Sequence, residues 1–523
     1  MTSFLFKSAL IVDGISPQPY QADLLVKEDK IAQIGRIPAQ ASDQVIDAQG
    51  LVLAPGFIDA HGHSDYHLLI LPSAESKLLQ GVTTEIGGNC GYSPAPVFGE
   101  LKKEREKNLK QEYQIKTNFR RLKDYLERLE ENGLGINFAP LVGYNTVRAS
   151  VMRFENRPPT DEDMEKIRKE INLALEQGAF GLSAGLIYPP GCYVQKEELV
   201  QALKPVKESG GVFACHIRSE GRGLIEAVEE FLEIGIRSGA KLQLSHLKTS
   251  QPENWHKLDR VFELIEDARK KGLEIKADRY PYLSSFTSLS ALLPDWVFEG
   301  GEREYRQKLT QKSPEIISEL KKRYSVDYWE KVYISQCFSQ KNRVLEGNNL
   351  AQLAEKEKIH PAEYMVNLLR EEKLSPSAIF ETMNSRNLER IYQKPWVMVG
   401  SDAGARSDKG VLAQGKPHPR AYGTFPRFFA RFVREKSLIS LSEAVRKTSA
   451  LAGEHFRIEK RGKLAIGYYA DLVLFDLESI SDRANYQNPF LAPVGIKMVV
   501  VNGKIAVKDG KIINPTAGRV LRK

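Results

Sequence analysis

Eight β-like runs alternate with helical stretches through the middle of the chain, and this alternation restricts the fold more than any other feature. The runs are residues 56–60, 83–87, 136–142, 179–184, 211–217, 241–247, 273–280 and 396–400. Between them, residues 163–177, 223–238 and 255–271 carry apolar positions at helical spacing. Strands that alternate with helices build parallel sheets, and eight such units predict an α/β fold, a (β/α)8 barrel of the TIM type. An open doubly wound sheet is the alternative that the pattern leaves.

The two ends of the chain read differently. Residues 9–12, 22–27, 30–34 and 44–47 are short strands separated by glycines, prolines and acidic residues. Such a segment is too short to bury two sheet faces alone. Residues 464–476, 495–501 and 504–508 are again β-rich, with the hairpin dipeptide Asn502-Gly503 between the last two. One small β-sandwich built from residues 1–55 and 456–523 is therefore expected, around a barrel spanning 56–455.

Two intervals exceed plain connections. Residues 100–132 form a charged helical stretch. The interval 283–395 holds an apolar segment at 286–293, a helix at 303–324 and another at 350–369. A structureless loop of that length would be unusual, so an inserted subdomain around 283–395 is expected.

The formal charge is +8, from 75 basic and 67 acidic residues spread along 523 positions. No short basic cluster interleaved with aromatics occurs, which argues against nucleic-acid binding. No apolar run of about 18 residues occurs, which argues against a membrane span. The cysteines, Cys90, Cys192, Cys215 and Cys337, are few and irregularly spaced, as expected of free thiols rather than a disulfide framework. The first residues lack a signal-peptide pattern. A reducing, cytoplasmic setting is expected. A homo-oligomer is compatible with the sequence, which does not fix the state.

Chemistry-bearing residues collect where the runs end. The first leads into His61-Gly62-His63, whose imidazoles share a side if the strand continues. The second leads to Cys90. The fifth ends at His216, the sixth at His246, and the eighth at Asp402. Each alone has an ordinary explanation: a hydrogen-bonded histidine, a small buried thiol, an aspartate in a turn. In a parallel barrel, however, every C-terminal strand end faces one opening, so all six would converge there. Imidazole, thiolate and carboxylate together suit a borderline-soft divalent ion such as zinc. His67, His256, His360, His418 and His455 read as structural or exposed.

The stretch 55–65, PGFIDAHGHSD, followed by GVTTEIGGNCG, resembles the amidohydrolase superfamily, and within it the N-acyl-D-amino acid deacylases. The resemblance continues through Gly181–Pro190, Ser245-His246-Leu247-Lys248, Arg279-Tyr280-Pro281-Tyr282, Gly400-Ser401-Asp402 and residues 418–427, and it spans nearly the whole chain. It implies a metal-containing barrel with a sandwich made from both termini. It implies a tight zinc on Cys90, His216 and His246, and a second, weaker metal position at His61, His63 and Asp402. Related enzymes that bridge two metals with a lysine of the fourth strand differ here, because residues 179–186 contain no lysine.

The activity implied is hydrolysis of the amide of a small-molecule N-acyl-D-amino acid, with Asp402 as general base and then acid. Tyr188, Lys248 and Tyr280 are the residues that the resemblance assigns to the substrate carboxylate. Arg279 and Arg406 are candidate side-chain recognisers, and Asp65 either orients a ligand or caps a helix. A related amidohydrolase acting on D-amino-acid-containing dipeptides or another acylated amine is the alternative enzyme. A barrel serving only as a binding module is the alternative of a different class, and it would be expected to lack part of the ligand set.

Overall fold

A computed structural model describes residues 3–41 and 44–523. Eight parallel strands close into a barrel. They are Phe57–Asp59, Val82–Gly87, Asn137–Pro140 continued by Val142–Gly143, Gly181–Gly185, Val212–His216, Lys241–Leu244, Ile275–Arg279 and Val397–Val399. Each pairs with the next. Closure runs from strand eight back to strand one, where Ala60 N–H donates to Val399 O at 3.3 Å and Asp402 N–H donates to His61 O at 2.7 Å. An open sheet is excluded.

Strand three is broken where the sequence suggests one run. Pro140 has no N–H to donate, so the ladder shifts there. Asn137–Pro140 pairs with strand two, and Val142–Gly143 pairs with strand four. Prolines divide the long helices of the insertion as well. The helical stretch at 303–324 becomes Glu302–Gln311 and Ser313–Arg323, restarted at Pro314. That at 350–369 becomes Leu350–Glu357 and Pro361–Glu371. The stretch 100–132 is two helices, Gly99–Glu112 and Leu122–Asn132, separated by a segment containing Ile115, Thr117 and Asn118, which are poor helix formers.

The insertion has its own antiparallel sheet, Ser284–Ser288, Ser377–Glu381 and Val332–Gln336. It also has its own apolar core around Trp329, Leu309, Leu320 and Met365. The terminal segments form one nine-stranded sheet. Strand Ser3–Ile11 is its pivot, since residues 4–7 pair with Gln44–Asp47 and residues 10–11 with Val52–Pro55. Phe4, Phe6 and Leu24 from the N-terminus share one core with Leu472, Leu474 and Val500 from the C-terminus, as in a sheet folded over on itself. At the 502–503 hairpin both residues have positive φ, 48° and 73°, as a type I′ turn requires. Among the described residues no helix is long and apolar enough to cross a membrane.

Candidate metal centre and active site

The first strand stops at Asp59, and the chain continues in extended form through His61-Gly62-His63, held by a bridge from Gly62 to Ala403. Glycine is required between the histidines because a Cβ there would lie 2.2 Å from the Glu85 side chain. His61 is fully buried. Its Nδ1 lies 3.2 Å from Asp278 Oδ2, and its Nε2 lies 3.4 Å from Cys90 Sγ. His63 Nε2 lies 3.1 Å from Asp402 Oδ1.

Cys90, His246 and Asp402 share an unusual backbone. Their φ angles are +53°, +37° and +50°. Left-handed backbone is uncommon for non-glycine residues and collects at functional sites. Each residue follows a strand end, where the turn re-aims the side chain across the barrel mouth. The Cys90 loop is pinned from both sides. Gly91 N–H donates to Ser183 Oγ at 3.0 Å, and Gly88 N–H donates to Asp65 Oδ1 at 2.7 Å. Asp65 thus anchors the thiol loop instead of capping a helix, and burial raises its carboxyl to about 7.

Around Cys90 Sγ, His61 Nε2 lies at 3.4 Å, His246 Nε2 at 3.6 Å and His216 Nδ1 at 3.8 Å. Tetrahedral zinc, with bonds of about 2.3 Å to sulfur and about 2.0–2.1 Å to nitrogen, sets those atoms about 3.6 Å apart. Each Cys90–imidazole spacing is close to that figure. Burial disfavours the Cys90 thiolate, but the His61 charge and hydrogen bonds from His216, His246 and His61 outweigh it and hold the thiol well below its ordinary range. The thiolate is the metal-binding form. His61, Cys90, His246 and Asp402 form one group with donor atoms within 4.8 Å of one another, and His216, Glu220 and His246 form a second.

Carboxylates behind the histidines set their orientation. Asp278 stands behind His61 and also accepts His246 N–H at 2.9 Å and Gln243 Nε2–H at 2.7 Å. Glu220 Oε1 lies 2.9 Å from His246 Nδ1, which turns Nε2 of that ring towards Cys90. His216 is turned the other way, with Nδ1 towards Cys90 and Nε2 3.9 Å from Glu220. Such outer partners fix the tautomer of a metal-ligating histidine.

Asp402 Oδ2 lies 2.9 Å from Arg420 Nη1. Burial opposes ionisation of Asp402, but Arg420, His246, His63 and His61 together keep its carboxyl well below the usual carboxylate range.

These groups open onto a cavity of about 720 Å³, whose wall includes His63, Cys90, Tyr188, His216, His246, Lys248, Asp402 and Arg420. Lys248 Nζ contacts Glu220 Oε1 and lies 2.8 Å from His246 Nδ1. An ammonium has three donors, so capacity remains for a ligand. Tyr188 packs edge-on against His216 and pairs its hydroxyl with Thr287 Oγ1 at 3.0 Å. Tyr280 is fully buried behind the wall, with the Arg420 guanidinium 4.5 Å from its ring centre and its hydroxyl unpartnered. Arg406 lines the cavity. Arg279 is buried against Tyr280 and donates to Tyr282 O at 2.7 Å.

Glu220, Asp278 and Arg420 were not singled out from the sequence. Glu220 lies four residues after His216, a spacing that could have drawn attention to it. Asp278 sits within an otherwise ordinary strand, and Arg420 lies within the stretch 418–427 that carries part of the family resemblance.

The chain is similar to known proteins over nearly its whole length. The sequence model of the amidohydrolase family matches residues 44–172 and 384–507. The chain is 32% identical to D-aminoacylase of Alcaligenes xylosoxydans xylosoxydans, over 99% of this chain and 97% of that protein. It is 33% identical to N-acyl-D-glutamate deacylase of the same organism, over 98% of this chain and 95% of that protein. It superposes with a TM-score of 0.85 on the crystal structure of N-acyl-D-glutamate deacylase from Bordetella bronchiseptica, complexed with zinc and a phosphonate mimic of the tetrahedral intermediate. That match has 32% identity and covers 99% of each chain. The chain belongs to the N-acyl-D-amino acid deacylase family of the amidohydrolase superfamily.

Proposed function

We propose that the chain hydrolyses N-acyl-D-amino acids to a carboxylate and a free D-amino acid. The observation that carries this reading is the convergence of Cys90, His216 and His246 beside Asp402, in a cavity that also presents the Lys248 ammonium. Cys90, His216 and His246 are the residues that would hold a tight zinc, and His61 and His63 with Asp402 would hold a second, weaker one. A zinc ion there supplies Lewis-acid pull on the carbonyl and brings the pKa of a water to about 7.

The remaining work falls to side chains. Asp402, kept ionised by Arg420, accepts the proton of the attacking water and delivers it to the departing nitrogen. Lys248, held in place by Glu220, takes the substrate carboxylate with its remaining N–H. Tyr188, packed edge-on against His216, lines the same cavity. The four cysteines are free, which suits a reducing compartment, and we place the protein in the cytoplasm.

A panel of N-acetyl-D-amino acids with their L-enantiomers as controls tests the reading. Turnover of D substrates alone is expected. Bound zinc with no turnover of any acylated amino acid would contradict it.

A further inference from the structure

The site cavity does not end at the metal ligands. It continues into a second groove of about 570 Å³ between the helix Gly99–Glu112 and the inserted subdomain. The two share His63, His67, Tyr92, Tyr113, Phe154 and Phe298 as wall.

The direction of the groove assigns it to one half of the substrate. Lys248 follows strand six, and in a closed ring of eight strands the opposite position is strand two. Tyr92 follows strand two, and the groove opens beside it. A substrate whose carboxylate lies at Lys248 and whose amide lies at the metal ligands must send its acyl half towards Tyr92.

The floor of the groove suits a hydrocarbon. Leu101 and Leu109 face it from the helix, and Phe154 packs on a small apolar cluster of Val97, Leu101 and Ala149 that is separate from the main core. On the other side Phe298 stacks on Tyr305, with ring centres 5.3 Å apart and planes inclined by 5°. Glu112 and His67 stand in the neck with His63, Ser290 and the hydroxyls of Tyr92 and Tyr113, and Asp65 and Arg105 line the groove beside them. Burial pushes Glu112 up and His67 down to about 3, the directions that favour their uncharged forms. Exposed Lys107 and the Glu104–Arg153 ion pair stand at the outer rim, so the groove opens to water and sets no sharp limit on chain length.

We infer that the preferred substrate carries an acyl chain of several carbons, seated in this groove, and that acetyl is a poor fit. The inference rests on the deacylase reading above. Each methylene buried along the floor should raise kcat/KM by up to about fourfold, the ~0.8 kcal/mol of a buried CH₂ converted to a rate ratio.

The test is kcat/KM of the zinc-loaded protein on one D-amino acid bearing acetyl, butyryl, hexanoyl and octanoyl groups. It is repeated in Phe154→Glu and Phe298→Glu, each of which puts a carboxylate into the groove wall. A rise from acetyl to octanoyl of roughly tenfold or more, with the octanoyl-to-acetyl ratio collapsing in either variant, is expected. Hydrolysis of the acetyl compound with no gain on lengthening would overturn the acyl assignment and leave the deacylase reading standing. So would a ratio that survives in both variants. Collapse instead of the preference between D-alanine and D-phenylalanine at fixed acetyl would overturn it too, by giving the groove to the amino-acid side chain. Absence of turnover at every chain length would remove both readings.

Discussion

Lys77 Nζ lies 2.7 Å from Asp59 Oδ2, and neither side chain reaches solvent. The same ammonium lies 3.0 Å from Glu85 Oε2 and donates to Ser401 Oγ at 2.8 Å and Ala403 O at 2.7 Å. It therefore grips both neighbours of Asp402, the residue held in left-handed backbone. Glu85 in turn accepts the N–H and O–H of Ser64, directly after His63. One buried ion cluster ties the loop of the paired histidines to the loop of Asp402, the proposed general base.

Lys77→Met should lower kcat far more than it changes KM, and should cost about 3–5 kcal/mol of stability because it leaves buried carboxylates unpaired. Ser401→Ala, which removes one link and leaves the charges paired, should show the same kcat-selective loss in a protein that still folds. If Lys77 acts through Asp402, Lys77→Met should cause no further loss of kcat in an Asp402→Asn background. Steady-state kinetics of the four proteins in that cycle decide it, and additive losses would contradict the positioning role.

Asp402→Asn itself should retain zinc and lose about 10²- to 10⁴-fold in kcat, the usual worth of general acid–base catalysis. Metal content measured beside the rate separates this from loss of a ligand. A rate within about tenfold of the parent would remove Asp402 as the base.

Glu220→Gln keeps the shape of the side chain and removes the charge that orients His246 and pairs with Lys248. Zinc affinity should fall about 10- to 100-fold, as for other outer-shell carboxylates, and KM should rise. Competition with a chromophoric chelator reads the first effect independently of turnover.

Far from the site, Lys447 is buried and donates to Val397 O at 3.2 Å. Burial lowers its pKa to about 8, against about 10.4 in an unfolded chain. Below pH 8 both states carry the proton, and the folded state bears the full cost. Between pH 8 and about 10.4 the unfolded state binds more protons, so this group makes stability rise with pH. The stability difference between wild type and Lys447→Met should therefore move in favour of wild type from pH 7 to pH 10, by roughly 3 kcal/mol at most. Denaturant midpoints at several pH values check it, and a difference that stays constant would refute it.

The barrel and the cluster of candidate ligands were legible because they rest on local signals. Strand runs of branched and small residues announce themselves, and His61, His63, Cys90, His216, His246 and Asp402 are residue types whose chemistry is visible one at a time. The partners behind them were not. Lys77 lies in the short helix Glu75–Leu78, where a lysine normally faces water, and nothing nearby in sequence reveals that Asp59 and Glu85 enclose it. Glu220 reads as an ordinary solvated acid until the fold brings Lys248 to it. The split of strand three at Pro140, and of helices at Pro314 and Pro361, was available in principle, since proline's missing donor is a local property.

The most direct test of the metal centre is X-ray absorption at the zinc edge of the purified protein. One sulfur at about 2.3 Å with nitrogen or oxygen at about 2.0–2.1 Å is expected. That sulfur should disappear in Cys90→Ser. A zinc site with only nitrogen and oxygen neighbours in the parent protein would contradict the assignment of Cys90, His216 and His246 to one ion.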